Sequence, residues 1–228
     1  MKPIYEPRGA AREYGELALN IYTGCPHRCF YCFAPSVLRR DREAFHSNVH
    51  PREGIVEATR KQLEKEQITG KLIHLCFTCD PYPTGCDTTA TREIIELLKE
   101  YGNHVQILTK GYGRRDFDLL DGNDWFGITI DGSLEWDSYF DETRIAWDAK
   151  QMGIKTWCSY EPVVNAENVL ECIERYRGCF DRIKIGKLNY HPSDINWKTF
   201  GHEAERLCRQ YGLDYTIKDS LRAEMERP

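Results

Sequence analysis

Lys71-Leu-Ile-His-Leu-Cys-Phe77, continued by Thr78-Cys-Asp80, alternates between two faces. Ile73, Leu75 and Phe77 point one way; His74, Cys76 and, just beyond the run, Thr78 and Asp80 point the other. Side chains of a strand alternate with period two, so this run has one oily face and one polar face. In the run 125–131, Phe126, Ile128 and Ile130 oppose Gly127, Thr129 and Asp131. In 182–186, Ile183 and Ile185 oppose Lys184 and Gly186. A doubly wound sheet, covered by helices on both sides, would be apolar on both faces. A closed eight-stranded barrel would fill its interior with branched apolar residues. One oily and one polar face fit helices on a single side and a polar cavity on the other.

The order of the segments agrees. Strand-like runs at 17–23, 71–77, 105–110, 125–131, 155–160 and 182–186 alternate with helical patterns at 54–67, 89–101, 114–120, 142–152, 166–176 and 198–211. Thr91-Arg-Glu-Ile-Ile-Glu-Leu-Leu carries apolar residues at helical spacing, and Gly102 supplies a stop signal. Six strand–helix units in alternation predict a parallel α/β sheet whose right-handed crossovers curl it into part of a barrel. The expected fold class is therefore α/β, a partial TIM-type (β/α)6 barrel with a polar lumen. The expected organisation is one domain over 1–228, with a core at 15–190 and a C-terminal helix and tail at 191–228. Tyr215-Thr-Ile-Lys-Asp219 is placed to extend the sheet or close its open side, with no substrate-recognition domain after it.

Composition narrows the function classes. The 228 residues carry 31 Lys+Arg and 36 Asp+Glu, a net charge of −5, which argues against a general nucleic-acid coat but leaves room for one basic groove. Arg39, Arg40 and Arg42, and Arg114 and Arg115, read as solvated surface. With no apolar run near the ~18 residues of a bilayer crossing and no apolar stretch at the start to act as a secretory signal, the expectation is a cytoplasmic protein without membrane association.

Ten cysteines are many for such a chain, and in a reducing compartment clustered thiols point to metal or redox chemistry. Three stand together in Gly24-Cys-Pro-His-Arg-Cys-Phe-Tyr-Cys-Phe-Ala-Pro35, directly after the first strand. Loops at the carboxyl ends of parallel strands are where α/β folds place their chemistry. Structural zinc prefers four closed ligands; His27 is the available fourth, but it lies between two of the cysteines in a short loop. An iron–sulfur cube accepts thiolates on its irons, and three leave one iron open to a ligand. Unligated thiols are the remaining reading.

The Cys-x3-Cys-x2-Cys loop after a first strand, with Tyr31 just before the last cysteine, resembles the radical S-adenosylmethionine superfamily. Arg12-Glu-Tyr14, Leu17-Ala-Leu-Asn-Ile-Tyr-Thr-Gly-Cys25, Tyr31-Cys-Phe-Ala-Pro35, Asp80-Pro-Tyr82, Thr91-Arg92, Leu108-Thr-Lys110 and Arg115-Asp116 resemble, more narrowly, its spore photoproduct lyase–like group. The likeness runs from about residue 5 to 189. It implies that Cys25, Cys29 and Cys32 hold a [4Fe-4S] cluster whose fourth iron is chelated by the methionyl amine and carboxylate of S-adenosylmethionine. Reductive cleavage would yield a 5′-deoxyadenosyl radical that takes hydrogen from a substrate. The cofactor carries the hard step, and the protein binds, orients and excludes water.

The resemblance also assigns neighbours. Tyr31 would lie by the adenine. Thr78 and Asp80 stand where relatives contact the methionyl amine, although the superfamily's common Gly-Gly-Glu is absent. Lys110 and Thr129 match positions for the cofactor carboxylate and ribose, and Asp131, Ser159 and Glu161 share the inward parity. Cys79 lies one residue from the position, Thr78, that aligns with a hydrogen-donating cysteine. Cys76, Cys79 and Cys86 are the thiols from which an auxiliary cluster would be built, but opposite parity and the lack of a fourth argue against one. Cys158, Cys172, Cys179 and Cys208 read as packing residues, and His191 and His202 as surface. Residues 160–163 and 184–189 face the presumed mouth. An external electron donor such as flavodoxin or ferredoxin is implied, with nucleic acid, nucleotide or peptide as substrate classes. A zinc-stabilised binding module without catalysis and a simple electron carrier are the competing readings.

Overall fold

The computed structural model describes residues 2–227. Backbone contacts divide the chain into two compact units, with the boundary in sequence at Trp125 and Phe126.

The first unit is built on four strands in chain order. β1 (Ile4–Tyr5) runs antiparallel to β2 (Leu17–Leu19), which pairs in parallel with β3 (Leu72–Leu75), and β3 in turn with β4 (His104–Thr109). Helices α1 (Ala34–Val37), α2 (Arg42–Ser47) and α3 (Ile55–Glu66) lie between β2 and β3 in sequence, and α4 (Thr89–Glu100) between β3 and β4. On α4, Ile94, Ile95 and Leu98 are wholly buried, each worth about 1.5–3 kcal/mol relative to exposure. Gly102 ends that segment at φ +71°, as its stop signal predicts. The expected helix over 114–120 is a 3-10 turn, Arg114–Leu119.

Two expectations about strand faces need correction here. The first strand stops at Leu19, not Thr23, because Asn20 diverts the chain: its Oδ1 accepts from the amides of Phe77 (2.8 Å) and Thr78 (2.9 Å), and its Nδ2 donates to Tyr5 Oη (2.7 Å). The second strand stops at Leu75, since Cys76 adopts φ +70° and breaks the alternation. His74 and Phe77, assigned to opposite faces, therefore stack at 4.2 Å between centroids. The polar face itself is present. His74 and Gln106 are register partners, both buried, and Gln106 Nε2 donates to His74 Nδ1 (2.9 Å) and to the Tyr14 carbonyl (2.8 Å).

The second unit alternates strand and helix: β5 (Trp125–Thr129, beginning at the boundary), α5 (Phe140–Gln151), β6 (Lys155–Tyr160), α6 (Ala166–Arg175), β7 (Arg182–Ile185), α7 (Trp197–Gln210), β8 (Tyr215–Ile217) and α8 (Asp219–Met225). β6, β7 and β8 pair in parallel, so the tail does extend the sheet. Asn165 caps α6 by accepting from Asn168 N (3.1 Å), and Asn196 caps α7 by accepting from Thr199 N (3.0 Å). Lys184 is buried beside its register partner Ser159. The face that carries Ser159 also carries Trp157, 1% exposed, with Lys184 Nζ 5.5 Å above its ring. Gly127 makes room for it: a Cβ there would sit 2.2 Å from Trp157 Nε1.

Candidate functional site

The loop after β2 must bring three thiols to one place. Gly24 opens it, and only glycine fits: a Cβ would lie 2.2 Å from the Phe45 carbonyl oxygen and 2.9 Å from that of Asn48. Arg28, in the left-handed region at φ +52°, turns the chain between Cys25 and Cys29, and Cys32 N closes a turn on Cys29 O at 3.0 Å. The thiols of Cys25, Cys29 and Cys32 are free and half-buried. Burial pushes the Cys25 thiol well up and also raises that of Cys32, so their deprotonation would accompany metal binding.

Side chains of α2 brace this loop. Arg42 donates to the carbonyls of Cys29 (2.5 Å), Phe30 (2.8 Å) and Cys32 (3.2 Å), and the buried His46 donates from Nδ1 to the Cys25 carbonyl (2.7 Å). Glu43 receives both ends of the Arg28 guanidinium, at 2.6 and 2.5 Å. The hydrogen bonds from Arg28, with Ser47 adding a further donor, hold the Glu43 carboxyl down to about 2. Arg42, expected as solvated surface, is exposed but engaged. Its signal in sequence is weak: a helix N-capped by Asp41, which accepts from Ala44 N at 2.8 Å, only ten residues past the last cysteine.

Asp80 links the loop to the ends of β3 and β4. Its Oδ1 accepts from Thr109 Oγ1 (2.5 Å) and Tyr82 N (2.7 Å), its Oδ2 from Lys110 N (2.9 Å), and His27 Nδ1 stands 3.4 Å from Oδ2. Thr84 N donates to His27 Nε2 (3.3 Å). Burial outweighs the Asp80 charge and pulls His27 below its ordinary value, so the ring is neutral, with its proton on Nδ1. Lys110 Nζ lies 5.4 Å above the Tyr31 ring. The expected Tyr31, Asp80 and Lys110 thus gather with the cysteine loop in the first unit. Thr78 Oγ1 is buried with no hydrogen-bond partner, an orphaned hydroxyl of the kind a ligand satisfies.

Cys79 Sγ accepts from Tyr22 N at 3.4 Å, and Cys79 is close enough to the buried Cys76 to help raise its thiol, so the two are neighbours despite the parity assigned to them. Cys86 is half-buried, its Sγ 3.9 Å from the Thr84 carbonyl.

In the second unit, Asp131 Oδ1 accepts from Ser133 N (3.0 Å), Ser133 Oγ (2.6 Å) and Tyr139 Oη (2.9 Å), an arrangement that closes the turn after β5. Ser159 is fully buried near the end of β6, and Thr129 ends β5 half-buried. Glu161 pairs with Lys218, and its carboxyl packs where a Gly186 side chain would be, 2.6 Å from the notional Cβ. Lys218 and Gly186, which the sequence alone does not connect to Glu161, stand directly after β8 and β7.

The thiols of the first-unit loop fit an iron–sulfur cube. They are free sulfurs on one loop, held by its braced backbone, and a cube takes each thiolate on a different iron. Among the described residues, no three His, Cys, Asp or Glu side chains surround a point that one metal ion would fill.

No protein-family model matches the chain, and no curated protein matches it in sequence. Solved structures do match in shape. A variant of spore photoproduct lyase with dinucleoside spore photoproduct superposes with a TM-score of 0.67 at 14% identity, over 93% of this chain and 78% of that one. Another variant, with bound S-adenosylmethionine and the same dinucleoside lesion, gives 0.66 at 14% identity, again over 93% and 78%. SuiB of Streptococcus suis bound to S-adenosylmethionine gives 0.63 at 12% identity, over 88% of this chain and 50% of that one. The chain therefore has the α/β partial-barrel fold of the radical S-adenosylmethionine enzymes, spore photoproduct lyase among them.

Proposed function

We propose that the chain is a radical S-adenosylmethionine enzyme in which Cys25, Cys29 and Cys32 hold a [4Fe-4S] cluster. The observation that carries this reading is the loop itself: three free, half-buried thiols after β2, on a backbone braced by α2 and tied through His27 to Asp80. When bound and reduced, the cluster supplies one electron to cleave S-adenosylmethionine, giving methionine and a 5′-deoxyadenosyl radical that takes a hydrogen atom from substrate.

The chain's own residues bind and orient. Tyr31 provides a flat face for the adenine. Lys110, whose backbone is fixed by Asp80, directs its ammonium toward the cofactor carboxylate, and Thr129 serves the ribose. Thr78 offers its unpartnered hydroxyl to the methionyl amine, and Asp80 contributes negative charge beside it. Asp131, Ser159 and Glu161 are the further candidate polar residues, in the second unit. Cys79 is the candidate hydrogen donor back to product. The likeness to a lyase holding a nucleic-acid lesion supports a nucleotide or nucleic-acid substrate, and SuiB, also solved with its precursor peptide SuiA, keeps a peptide open. An external flavodoxin- or ferredoxin-type protein would deliver the electron. Among the described residues no helix is long and apolar enough to cross a membrane.

The test is anaerobic reconstitution. Purified protein should turn brown, bind about four irons and four sulfides per chain, and form 5′-deoxyadenosine from S-adenosylmethionine under dithionite. One zinc per chain with no sulfide would replace this reading with a zinc-stabilised module.

A further inference from the structure

Every polar or charged side chain of the six-residue helix α2 engages the ligand loop, directly or through a loop side chain. Arg42 meets three loop carbonyls, Glu43 and Ser47 hold Arg28, and His46 meets the Cys25 carbonyl. The carbonyl at 2.7 Å can only accept, so His46 Nδ1 carries the proton, and Nε2 is left buried without a partner. A buried nitrogen without a partner is costly, and here it accompanies a contact made to the backbone of a ligand residue. Arg42 is the mirror case: an exposed guanidinium that spends its fork on the carbonyls of Cys29, Phe30 and Cys32 rather than on a carboxylate.

We propose that Arg42 and His46 are positioning residues for the iron–sulfur cluster: they hold the four carbonyls of its ligand loop in place, and Arg42 also sets the cluster's reduction potential. The inference rests on the cluster assignment of Cys25, Cys29 and Cys32. Two physical effects separate the residues. Both remove freedom from the loop, so cluster retention depends on both; partners that orient metal ligands typically change metal affinity about 10- to 100-fold when removed. Of the two, only Arg42 brings a permanent positive charge to the loop. A reduced cluster is one unit more negative than an oxidised one, so that charge stabilises the reduced form and raises the potential. His46 acts through its Nδ1–H hydrogen bond to the Cys25 carbonyl, so its removal probes the restraint on the loop.

The experiment uses the full chain, reconstituted anaerobically, with four variants: Arg42→Ala, Arg42→Lys, His46→Leu and His46→Asn. An Arg39→Gln control removes an exposed charge that makes no hydrogen bond to the loop. Iron and sulfide are counted before and after a chelator challenge, and the cluster is titrated by paramagnetic resonance. Circular dichroism confirms that each variant is folded.

Arg42→Ala should retain about tenfold less iron than wild type after the challenge and show a more negative potential. Arg42→Lys should hold the potential near wild type while losing iron faster. His46→Leu should lose iron faster at unchanged potential, and His46→Asn, whose amide mimics the Nδ1 donor, should recover it. Arg39→Gln should match wild type. If Arg42→Ala is unfolded, the lysine and asparagine variants carry the same contrast. Wild-type retention and potential in folded Arg42→Ala and His46→Leu would overturn the positioning role. Equal shifts in Arg39→Gln and Arg42→Ala would reduce the Arg42 effect to general surface charge. A wild-type chain that takes up no iron and sulfide would instead overturn the cluster assignment on which the inference stands.

Discussion

Two groups of cysteines in this chain stand in different kinds of place, and the contrast separates candidate ligands from packing. In the first unit Cys25, Cys29 and Cys32 sit half-buried on a loop whose carbonyls are held by Arg42 and His46. In the second unit Cys158, Cys172 and Cys208 are fully buried on strand or helix faces, Cys172 beside Val169 and Ile173 on the packed side of α6. Burial pushes the Cys172 and Cys208 thiols up to about 12, as it also raises Cys25 and Cys32, so it is their enclosure in regular packing that marks the former as small apolar side chains. The raw count of ten cysteines therefore signals less than their placement. A thiol is equipped for ligation where an irregular, side-chain-braced backbone presents it, and is filler where regular packing encloses it.

The largest effect that tests this contrast is Cys29→Ala, which should abolish the brown chromophore and 5′-deoxyadenosine formation. Cys172→Ala should keep full iron content and cost only about 1 kcal/mol in denaturant unfolding. Iron lost equally from both variants would erase the distinction. Gly24→Ala comes next. The added carbon would meet the Phe45 and Asn48 carbonyls, so unfolding free energy should fall by about 1–3 kcal/mol, with iron content reduced as the loop shifts. A fully loaded, equally stable variant would show that the loop's entry is looser than its geometry implies.

Lys110→Ala probes the cofactor side of the same loop. S-adenosylmethionine binding should weaken about 10- to 100-fold, the worth of one charge-assisted hydrogen bond, with iron unchanged. Unaltered affinity in a calorimetric titration would remove Lys110 from the site.

The smallest effect lies in the scaffold of the second unit. Asp181 accepts from Thr156 N (2.8 Å) and pairs with Lys150 (2.9 Å). Burial tends to raise its carboxyl, but these partners outweigh it and hold the group below its ordinary value. Its contribution is present above the unfolded carboxyl value of about 3.9 and is lost as pH falls through the lower folded one. Asp181→Asn should flatten that part of the stability profile by less than about 1 kcal/mol, since the side chain is 37% exposed and solvent screens the pair. A profile identical to wild type at pH 2–4 would show that the pair contributes nothing.

Much of this was legible in the residues because local rules governed it. The apolar spacing of α4 and the left-handed Gly102 that follows it both matched. So did the strand at 155–160, where side chains alternate without interruption. The short pieces were less legible. β1, with two residues, has no period to detect, and α1, α2 and α8 are too brief for a repeating face. The strand ends misled for a different reason: alternation holds only while the backbone stays extended, and Cys76 at φ +70° ends it two residues before Thr78. Asp80 reaches the loop by a turn and not by strand parity.

What the chain's residues determined unaided is the α/β architecture and the three-thiol loop on which the proposed chemistry rests. Thiol spacing and hydrophobic period are local properties, written in near neighbours. Tertiary structure alone decided which polar groups pair within each unit. Arg42 on the carbonyls of Cys29, Phe30 and Cys32, Asp80 joining His27 to Thr109 and Lys110, and Glu161 against Gly186 and Lys218 are contacts between residues 10 to 57 positions apart. Such pairings form because burying a polar group requires a partner, and the partner is whichever residue the fold brings near.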